Sequence, residues 1–594
     1  MRRFVPSFVR DLAVHRPSWG DVQASVAVTF MAVPQGVAYA MIAGLPPAMG
    51  LYAAVVPAAV GSLFRSSRHV VTGPTNAVSL LVGTAILATG GDPVTVALQL
   101  ALMVGLVQAV AGLLRLGLLV DYVSGAVVLG YITGAAVLIL VGQLPNLTGS
   151  PGGSGFLYGQ VTGWLGGLGQ TGWASVALGV GAMLFVVLQR RFAPRVPGPV
   201  LALALALAVS WLVDLRAFGV RLVGDLAPIP AALPPFGVPD LTGSASLLSV
   251  AFAITVLSFV ESSSVARSIA GKTGDRLDMS TELFGTGLAN VAAGVAGGYP
   301  VSGSLSRSAF NLVSGATSRL SGVFAGGWMV LVLLVGGPLL DRTPIPALAG
   351  LLVIVAWDLL DFPRLRAMVR GTSADRFALV GTLIGAFTLP LDQAIYLGIG
   401  ISLVLFLRRA RLVHDSEMRV DGDGRLVALD ADDDDAPAPC GAVRILHIEG
   451  DLFFGAASAL EGELDLATED EAVRVLIVRL KRAHNLDLTS LEVFVRAATR
   501  MKRAGRRLLF VGLKPAEMDL LQRTGFIDTL GRENLFPTQA RWFQAMEHAV
   551  AYGLEIAGPH DDAGGACPLH AWVARRRAAD ASLELHGQGA TPRS

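Results

Sequence analysis

From about Val22 to about Leu407, apolar stretches follow one another with only brief polar interruptions. The pattern predicts fourteen membrane segments, roughly 22–42, 49–64, 74–88, 94–114, 122–143, 173–189, 199–213, 247–266, 281–297, 303–315, 320–340, 346–360, 376–390 and 393–408. The third and tenth are too short to span alone, because a hydrocarbon core about 30 Å thick takes about 20 helical residues. After Arg411 the pattern changes. Asp430, Asp432, Asp433, Asp434 and Asp435 lead into Ala-Pro-Ala-Pro at 436–439, which reads as a solvated linker. Beyond it, strand patterns at 443–448, 473–478 and 507–511 alternate with helical patterns at 456–468, 489–504, 515–523 and 538–552. Such alternation predicts an α/β domain with a mostly parallel sheet. The tail from Gly553 has no clear period. The expected organisation is therefore an N-terminus at 1–21, a transmembrane domain at 22–411, an acidic, Pro-containing linker at 412–440, an α/β domain at 441–552 and a disordered tail at 553–594.

Composition and charge narrow the class. Of 594 residues 53% are hydrophobic and 15% charged, against about 25% charged in soluble domains. From Tyr122 to Gln189 there is no Asp, Glu, Lys or Arg, so an ordinary soluble enzyme is excluded and a lipid bilayer is the expected surrounding. A net charge of +1 gives no sign of nucleic-acid binding. Charges such as Arg2, Arg3, Arg10 and Asp11 interrupt the N-terminus and read against a cleavable signal. With that end in the cytosol, the inside loops hold Arg65 and Arg68, Arg115, Arg190 and Arg191, Arg267 and Lys272, Arg319, Arg364 and Arg366, and Arg408 and Arg411, whereas 144–172 holds none. The bias predicts an even number of crossings with both termini cytosolic, in a plasma membrane such as the bacterial inner membrane. Cys440 and Cys567 suggest neither a disulfide framework nor a metal cluster.

The candidate chemistry lies in the apolar part. Gln35 and Tyr39, four residues apart in Pro34-Gln35-Gly36-Val37-Ala38-Tyr39, share a helix face. Gln35 either bonds a neighbouring helix or lines a solute cavity. Segment three opens on Gly73-Pro74-Thr75-Asn76-Ala77, and segment ten on Gly298-Tyr299-Pro300-Val301-Ser302-Gly303-Ser304-Leu305-Ser306-Arg307. Both are helix-start signals inside the membrane. Ser304 follows Thr75 by 229 positions and Glu261 follows Gln35 by 226, which suggests an internal repeat of seven segments. An odd number inverts the second copy. Inverted repeats with broken helices mark secondary transporters that bind between the half-helix ends. Two helix N-termini, their free N–H donors and Arg307 favour an anion; the alternative is that Arg307 snorkels to the cytosolic surface. Glu261, six residues before Arg267, either pairs permanently, for instance with Arg307, or takes up a proton.

These residues carry a resemblance. The runs PQGVAYAMIAGLPPAMGLY at 34–52, GPTNAVS at 73–79, GLLRLG at 112–117, ESSSVAR at 261–267 and GYPVSGSLSRSAFN at 298–311 resemble the SulP family, the sulfate-permease or solute-carrier-family-26 anion transporters. The segment at 441–552 resembles that family's STAS domain, most clearly in Gly450-Asp451-Leu452-Phe453-Phe454-Gly455. The resemblance implies an α-helical polytopic fold of seven plus seven inverted segments with two half-helices, divided into core and gate as in UraA-like proteins. It implies an elevator-like movement, homodimers, and a substrate anion held between segments three and ten near Gln35 and Tyr39. Substrates of the class are sulfate, bicarbonate, chloride, oxalate and dicarboxylates. Sodium-dependent relatives carry Asp with a hydroxyl one turn later; Glu261 and Val265 here favour H+ over Na+.

In the soluble segment, Thr489 falls where regulatory relatives carry a phosphorylated serine, but with Glu492 it also completes a capping box. His447, His484 and Cys440 form no catalytic constellation at motif spacing, so no enzyme, no cofactor and no metal is expected. The expected function is anion–proton symport, with an uncoupled exchanger or channel-like conductor as one alternative and a membrane-anchored STAS signalling protein as another. Expected partners are the anion, lipid, a second copy of the chain and a regulatory protein at the STAS domain.

Overall fold

The structure, a computed structural model, describes residues 17–118, 123–153, 157–192, 198–411, 413–421, 423, 425–429, 440–539, 541, 543–560 and 567–587. The chain forms two compact units, Met1–Leu403 and Val404–Ser594.

The first unit is built from apolar helices. The first half holds α1 (Trp19–Ile42), α2 (Pro47–Phe64, in two pieces), strand β1 (Thr72–Gly73), then α3 (Asn76–Thr89), α4 (Pro93–Leu113), α5 (Gly125–Thr148), α6 (Trp173–Phe192) and α7 (Gly198–Leu212). The second half repeats the order: α8 (Leu248–Thr273), α9 (Met279–Val295), strand β2 (Ser302–Gly303), α10 (Leu305–Val313), α11 (Leu320–Leu340), α12 (Ile345–Asp358), α13 (Ser373–Thr388) and α14 (Leu391–Ala410). Among the described residues nine helical stretches are long and apolar enough to cross a membrane. The 14-residue α3 and the 9-residue α10 are half-helices, about 21 and 14 Å long at 1.5 Å per residue.

Local chemistry sets these ends. Asp92 accepts the Thr95 N–H at 2.8 Å and Pro93 takes the first helical position, so α4 starts there. Packing falls into two groups. The helix α9 lies on α4 and α2, and α11 on α1 and α2, while α12 and α13 lie on α5, and α6 on α12. In the first group, glycine lets backbones meet. A Cβ on Gly105 would stand 2.4 Å from the Val291 nitrogen, and one on Gly287 would stand 2.4 Å from that of Ala109.

Several expectations are corrected. The helix α1 starts at Trp19, and Asp21 is fully buried in its first turn, accepting the N–H groups of Thr317 at 2.7 Å and Ser318 at 2.8 Å. Arg65 and Arg319, expected in solvated loops, are 0% and 6% exposed. Carbonyls of a neighbouring turn take up Arg319, and Glu282, Ser262 and Thr286 take up Arg65. The stretch 144–172 contains a helix, Leu157–Gly167, and α5 runs on to Thr148.

The second unit is a six-stranded sheet in the order β4-β3-β5-β6-β7-β8. Its elements are β3 (His414–Val420), β4 (Leu426–Leu429), β5 (Val443–Asp451), α15 (Ala457–Glu469), β6 (Val475–His484), α16 (Leu488–Arg503), β7 (Arg507–Leu513), α17 (Pro515–Thr524), β8 (Leu535–Pro537), α18 (Gln544–Ala557) and α19 (Pro568–Gly587). Strands β5 to β8 pair in parallel, and the β3–β4 hairpin joins β5 antiparallel. Helices α15, α16 and α17 cover one face; α18 and α19 cover the other.

Here too the structure corrects the sequence reading. Part of the linker is a hairpin, because Met418, Val420 and Leu426 supply the apolar face that a sheet edge needs; the acidic run 430–439 lies outside the described residues. Part of the tail is helix α19, which buries Leu569, Trp572 and Val573. Thr489 is not a cap. Asp487 takes that place, its carboxylate accepting Ser490 N–H at 2.9 Å and Phe454 N–H at 2.6 Å, and Thr489 is exposed in the first turn of α16. The two cysteines do cluster: Cys440, Cys567 and His560 meet at one point.

Candidate functional site

The site forms where the two half-helices begin. Strands β1 and β2 pair antiparallel, Thr72 with Gly303 and Gly73 with Ser302. Ser304 N–H donates to the Val71 carbonyl at 3.0 Å, and Val71 N–H to Ser308 Oγ at 2.9 Å. The pairing brings the N-termini of α3 and α10 together from opposite directions. The first turn of a helix has N–H groups without intrahelical acceptors. In α3 the N-cap Thr75 makes no side-chain cap bond, and Asn76 Oδ1 takes only the Ala77 N–H, at 2.8 Å. In α10, Ser304 Oγ meets the Arg307 N–H at 3.5 Å.

Further polar side chains around this point come from two other helices, α1 and α8. Gln35 Nε2 on α1 reaches Ser306 Oγ at 3.3 Å, and Ser306 lies 3.4 Å from Ser304 Oγ. Tyr39, one turn later, is buried beside Ala38 and Leu352 of α12. Glu261 on α8 is partly buried and accepts the Thr75 hydroxyl at 3.0 Å.

Arg307 is 1% exposed, so it does not snorkel. Its Nη2 donates to the Pro74 carbonyl at 2.5 Å, and its Nε has no acceptor among the described residues. A Cβ on Gly73 would stand 2.4 Å from Nη1, so glycine is what admits the guanidinium beside α3. Among the described residues no ion pair within 4 Å joins Glu261 to Arg307; Glu261 bonds Thr75, and Arg307 bonds the Pro74 carbonyl. The guanidinium instead lies within electrostatic range of Tyr39, Tyr299 and Glu261 together.

Not every expected residue faces this space. The Ser302 hydroxyl donates to the Ser258 carbonyl at 3.0 Å, and Gly303 N–H to Ser262 Oγ at 2.8 Å, so both hold β2 against α8. The Leu305 side chain is 58% exposed, which leaves only its backbone N–H to contribute. Sequence reasoning also missed supporting residues. Asn290 on α9 accepts Val301 N–H at 2.7 Å and donates to its carbonyl at 3.1 Å, clamping the strand before α10. Ser79 and Tyr299 join their hydroxyls across the two repeats at 3.0 Å. The signal was present in Gly-Tyr-Pro, read only as a backbone motif.

Comparison with known proteins agrees with this architecture. A family profile described as the sulfate permease family matches residues 19–382, and a STAS-domain profile matches 439–541. The probable sulfate transporter MT1781 of Mycobacterium tuberculosis is 30% identical over 89% of this chain and 95% of its own length. The putative sulfate transporter YvdB of Bacillus subtilis is 30% identical over 87% and 95%. The structure of the murine solute carrier 26 family member A9 anion transporter in the inward-facing state superposes with a TM-score of 0.83 at 18% identity, covering 92% of this chain and 94% of that one. The transmembrane domain of a cyanobacterial bicarbonate transporter, BicA, gives 0.55 at 21% identity over 65% and 96%. At those identities the two structures speak for the fold alone. This chain belongs to the sulfate permease family, multi-pass membrane anion transporters rather than enzymes, built as a helical inverted repeat with two half-helices and a STAS domain.

Proposed function

We propose that the chain carries a small divalent or monovalent oxyanion, or a dicarboxylate, across the membrane together with a proton. The names of the similar mycobacterial and bacillar proteins make sulfate the first candidate. The observation that carries the reading is the convergence of two half-helix N-termini on a buried Arg307, with Glu261 bonded to Thr75, the N-cap of α3. Helix N-termini and a guanidinium favour negative charge. The anion is held by the N–H groups of Asn76, Ala77, Leu305 and Ser306, by Thr75, Ser304 and Ser306 hydroxyls, and by Gln35, Tyr39 and Arg307. Ser302 and Gly303 position the cradle.

Glu261 supplies the coupling. A lone carboxylate at membrane depth is stabilised by a partner or by a proton. When it is ionised, it accepts from Thr75 and opposes an anion a few ångströms on; when protonated, that repulsion is gone. Proton and anion therefore enter together, and H+ rather than Na+ is the coupling ion. Transport proceeds by elevator-like movement of the first packing group past the second, in a plasma-membrane homodimer with cytosolic termini. Thr489, exposed at the start of α16, is a regulatory position where a phosphate would meet a helix N-terminus.

Proteoliposome counterflow with labelled sulfate, bicarbonate and dicarboxylates, at two pH values with and without sodium, tests the reading. Expected is sulfate accumulation driven by an inward proton gradient and indifferent to sodium. Glu261→Gln is expected to abolish that accumulation while exchange persists, because a permanently neutral group binds the anion but moves no proton. Unchanged accumulation in the variant removes Glu261 from coupling, and absence of flux with every anion removes the transport reading.

A further inference from the structure

Three groups far apart in sequence converge at one edge of the soluble unit. Cys440 precedes β5, His560 follows α18, and Cys567 precedes α19. Their ligand atoms all lie within 4.8 Å of one another, with Cys440 Sγ 3.2 Å from His560 Nε2. Both cysteines are buried, and His560 partly so. A tetrahedral site with metal–sulfur bonds of about 2.3 Å and metal–nitrogen bonds of about 2.0–2.1 Å separates its ligand atoms by roughly 3.3–3.8 Å. The observed spacing is thus within small side-chain adjustments of a metal's coordination sphere.

The imidazole is already oriented for it. His560 Nδ1 lies 2.8 Å from the Gly558 carbonyl oxygen. A carbonyl only accepts, so Nδ1 carries the hydrogen and Nε2 turns its lone pair to the sulfur side. A backbone carbonyl on the far nitrogen is a recurrent orienting partner of metal-bound histidine. His570, exposed on α19, stands near this three-residue cluster without belonging to it. His570 N–H bonds the Cys567 carbonyl at 3.1 Å, so the two residues flank the first turn of α19, and the His570 ring centroid is 6.0 Å from that of His560.

We infer that Cys440, His560 and Cys567 form a structural zinc site that fastens α19 to the sheet, with His570 turning in from the surface as the fourth ligand. Two thiolates with two imidazoles suit zinc best among abundant divalent ions, because soft sulfur donors in tetrahedral array select it. Binding displaces the thiol protons and links three chain segments at once: the entry to β5, the exit of α18 and the start of α19. Its consequence is mechanical. The helix α19 holds the sheet through Leu569, Trp572 and Val573, and the metal pins its N-terminal end.

The test uses the full-length protein, purified in detergent under reducing conditions without chelator. Expected is about one zinc per chain by elemental analysis, lost in C440S/C567S and weakened in H570A. Because the double variant can misfold, the unaltered protein is also stripped and reloaded with cobalt, where thiolate-to-cobalt and tetrahedral d–d absorption bands are expected. Hydrogen exchange across 568–587 is expected to accelerate after chelation and to recover with added zinc. The absence of zinc together with the absence of cobalt bands overturns the inference. So does a Cys440–Cys567 disulfide mapped by mass spectrometry in the freshly purified protein, or zinc content unchanged in C440S/C567S.

Discussion

Arg307 and Gly73 act as one unit. The guanidinium occupies the space that a Cβ on residue 73 would take, 2.4 Å from Nη1, and it is held there by the Pro74 carbonyl. Gly73→Ala therefore displaces Arg307 without removing its charge. A hydrogen bond to a charged group contributes about 1.5–3 kcal/mol, so anion affinity is expected to fall roughly 10- to 100-fold in G73A, with transport rate at saturating anion less affected. R307K keeps a point charge but loses the planar fork, and is expected to fall between G73A and the parent. Concentration-dependent uptake in proteoliposomes reads both; affinity unchanged in G73A would place the guanidinium outside the cradle. At this scale the sequence was legible where a residue violates its surroundings. Glu261 and Arg307 stood out because carboxylate and guanidinium are rare in apolar runs. Arg65 and Asp21 escaped notice because each sits at the end of such a run, where a charge ordinarily meets water. Only the tertiary fold reveals that these ends are buried. Cys440 and His560 escaped for a different reason, since 120 residues separate two side chains that touch.

At the level of elements, the cradle depends on a polar scaffold beneath it. Arg65 at the end of α2 and Glu282 at the start of α9 are both 0% exposed, with Nε and Oε1 3.7 Å apart. Arg65 Nη2 also donates to Ser262 at 2.9 Å, and Ser262 in turn accepts from Gly303 in β2. Glu282 Oε2 accepts the N–H groups of Ser66 and Ser67 at 3.0 and 3.1 Å. Glu282→Gln keeps an acceptor for those two amides but removes the carboxylate charge that faces Arg65. Breaking a buried pair from one side costs about 3–5 kcal/mol, whereas removing both charges is often close to neutral. The thermal midpoint in detergent is therefore expected to fall sharply in E282Q and to recover largely in R65M/E282Q. Equal destabilisation of single and double variants would show that the hydrogen bonds, not the charge, matter. Helix and strand types were readable from periodicity, and β5, β6 and β7 each begin within two residues of the expected position. What periodicity missed were the elements defined by partners. The β3–β4 hairpin is too short and charged to signal a strand by itself, and α19 buries its apolar residues only against a sheet face. The Thr489 cap failed similarly, because Asp487 offers a carboxylate that also bonds Phe454 from the neighbouring turn.

Across the membrane unit, the helices sort into two groups, and α1 touches both. The helix α1 packs with α11 and with the half-helix α10 in the first group, yet it also touches α7 and α12 in the second. Its face carries both functions: Gln35 points to Ser306 in the cradle, while Ala38 and Tyr39 pack on Leu352 of α12. If the first group moves as a body past the second, the contact between Ala38 and Leu352 must break on every cycle, while that between Gly105 of α4 and Val291 of α9 must persist. The two contacts differ in character as this requires. The α4–α9 seam brings backbone against backbone with no room for a Cβ, which makes a rigid joint. The α1–α12 contact is made by Ala38, the Tyr39 ring and Leu352, with no hydrogen bond across it among the described residues, and such surfaces slide at little energetic cost. Cysteines at Ala38 and Leu352, oxidised in proteoliposomes, are accordingly expected to stop transport almost completely and to release it on reduction. A matched pair bridging α4 and α9 is expected to leave the rate within about twofold, since a 0.4 kcal/mol change in barrier is about a factor of two. Were the bridged Ala38–Leu352 protein to transport at the parental rate, the two groups would not move past each other, and access to the cradle would have to alternate by local gating around the half-helices instead.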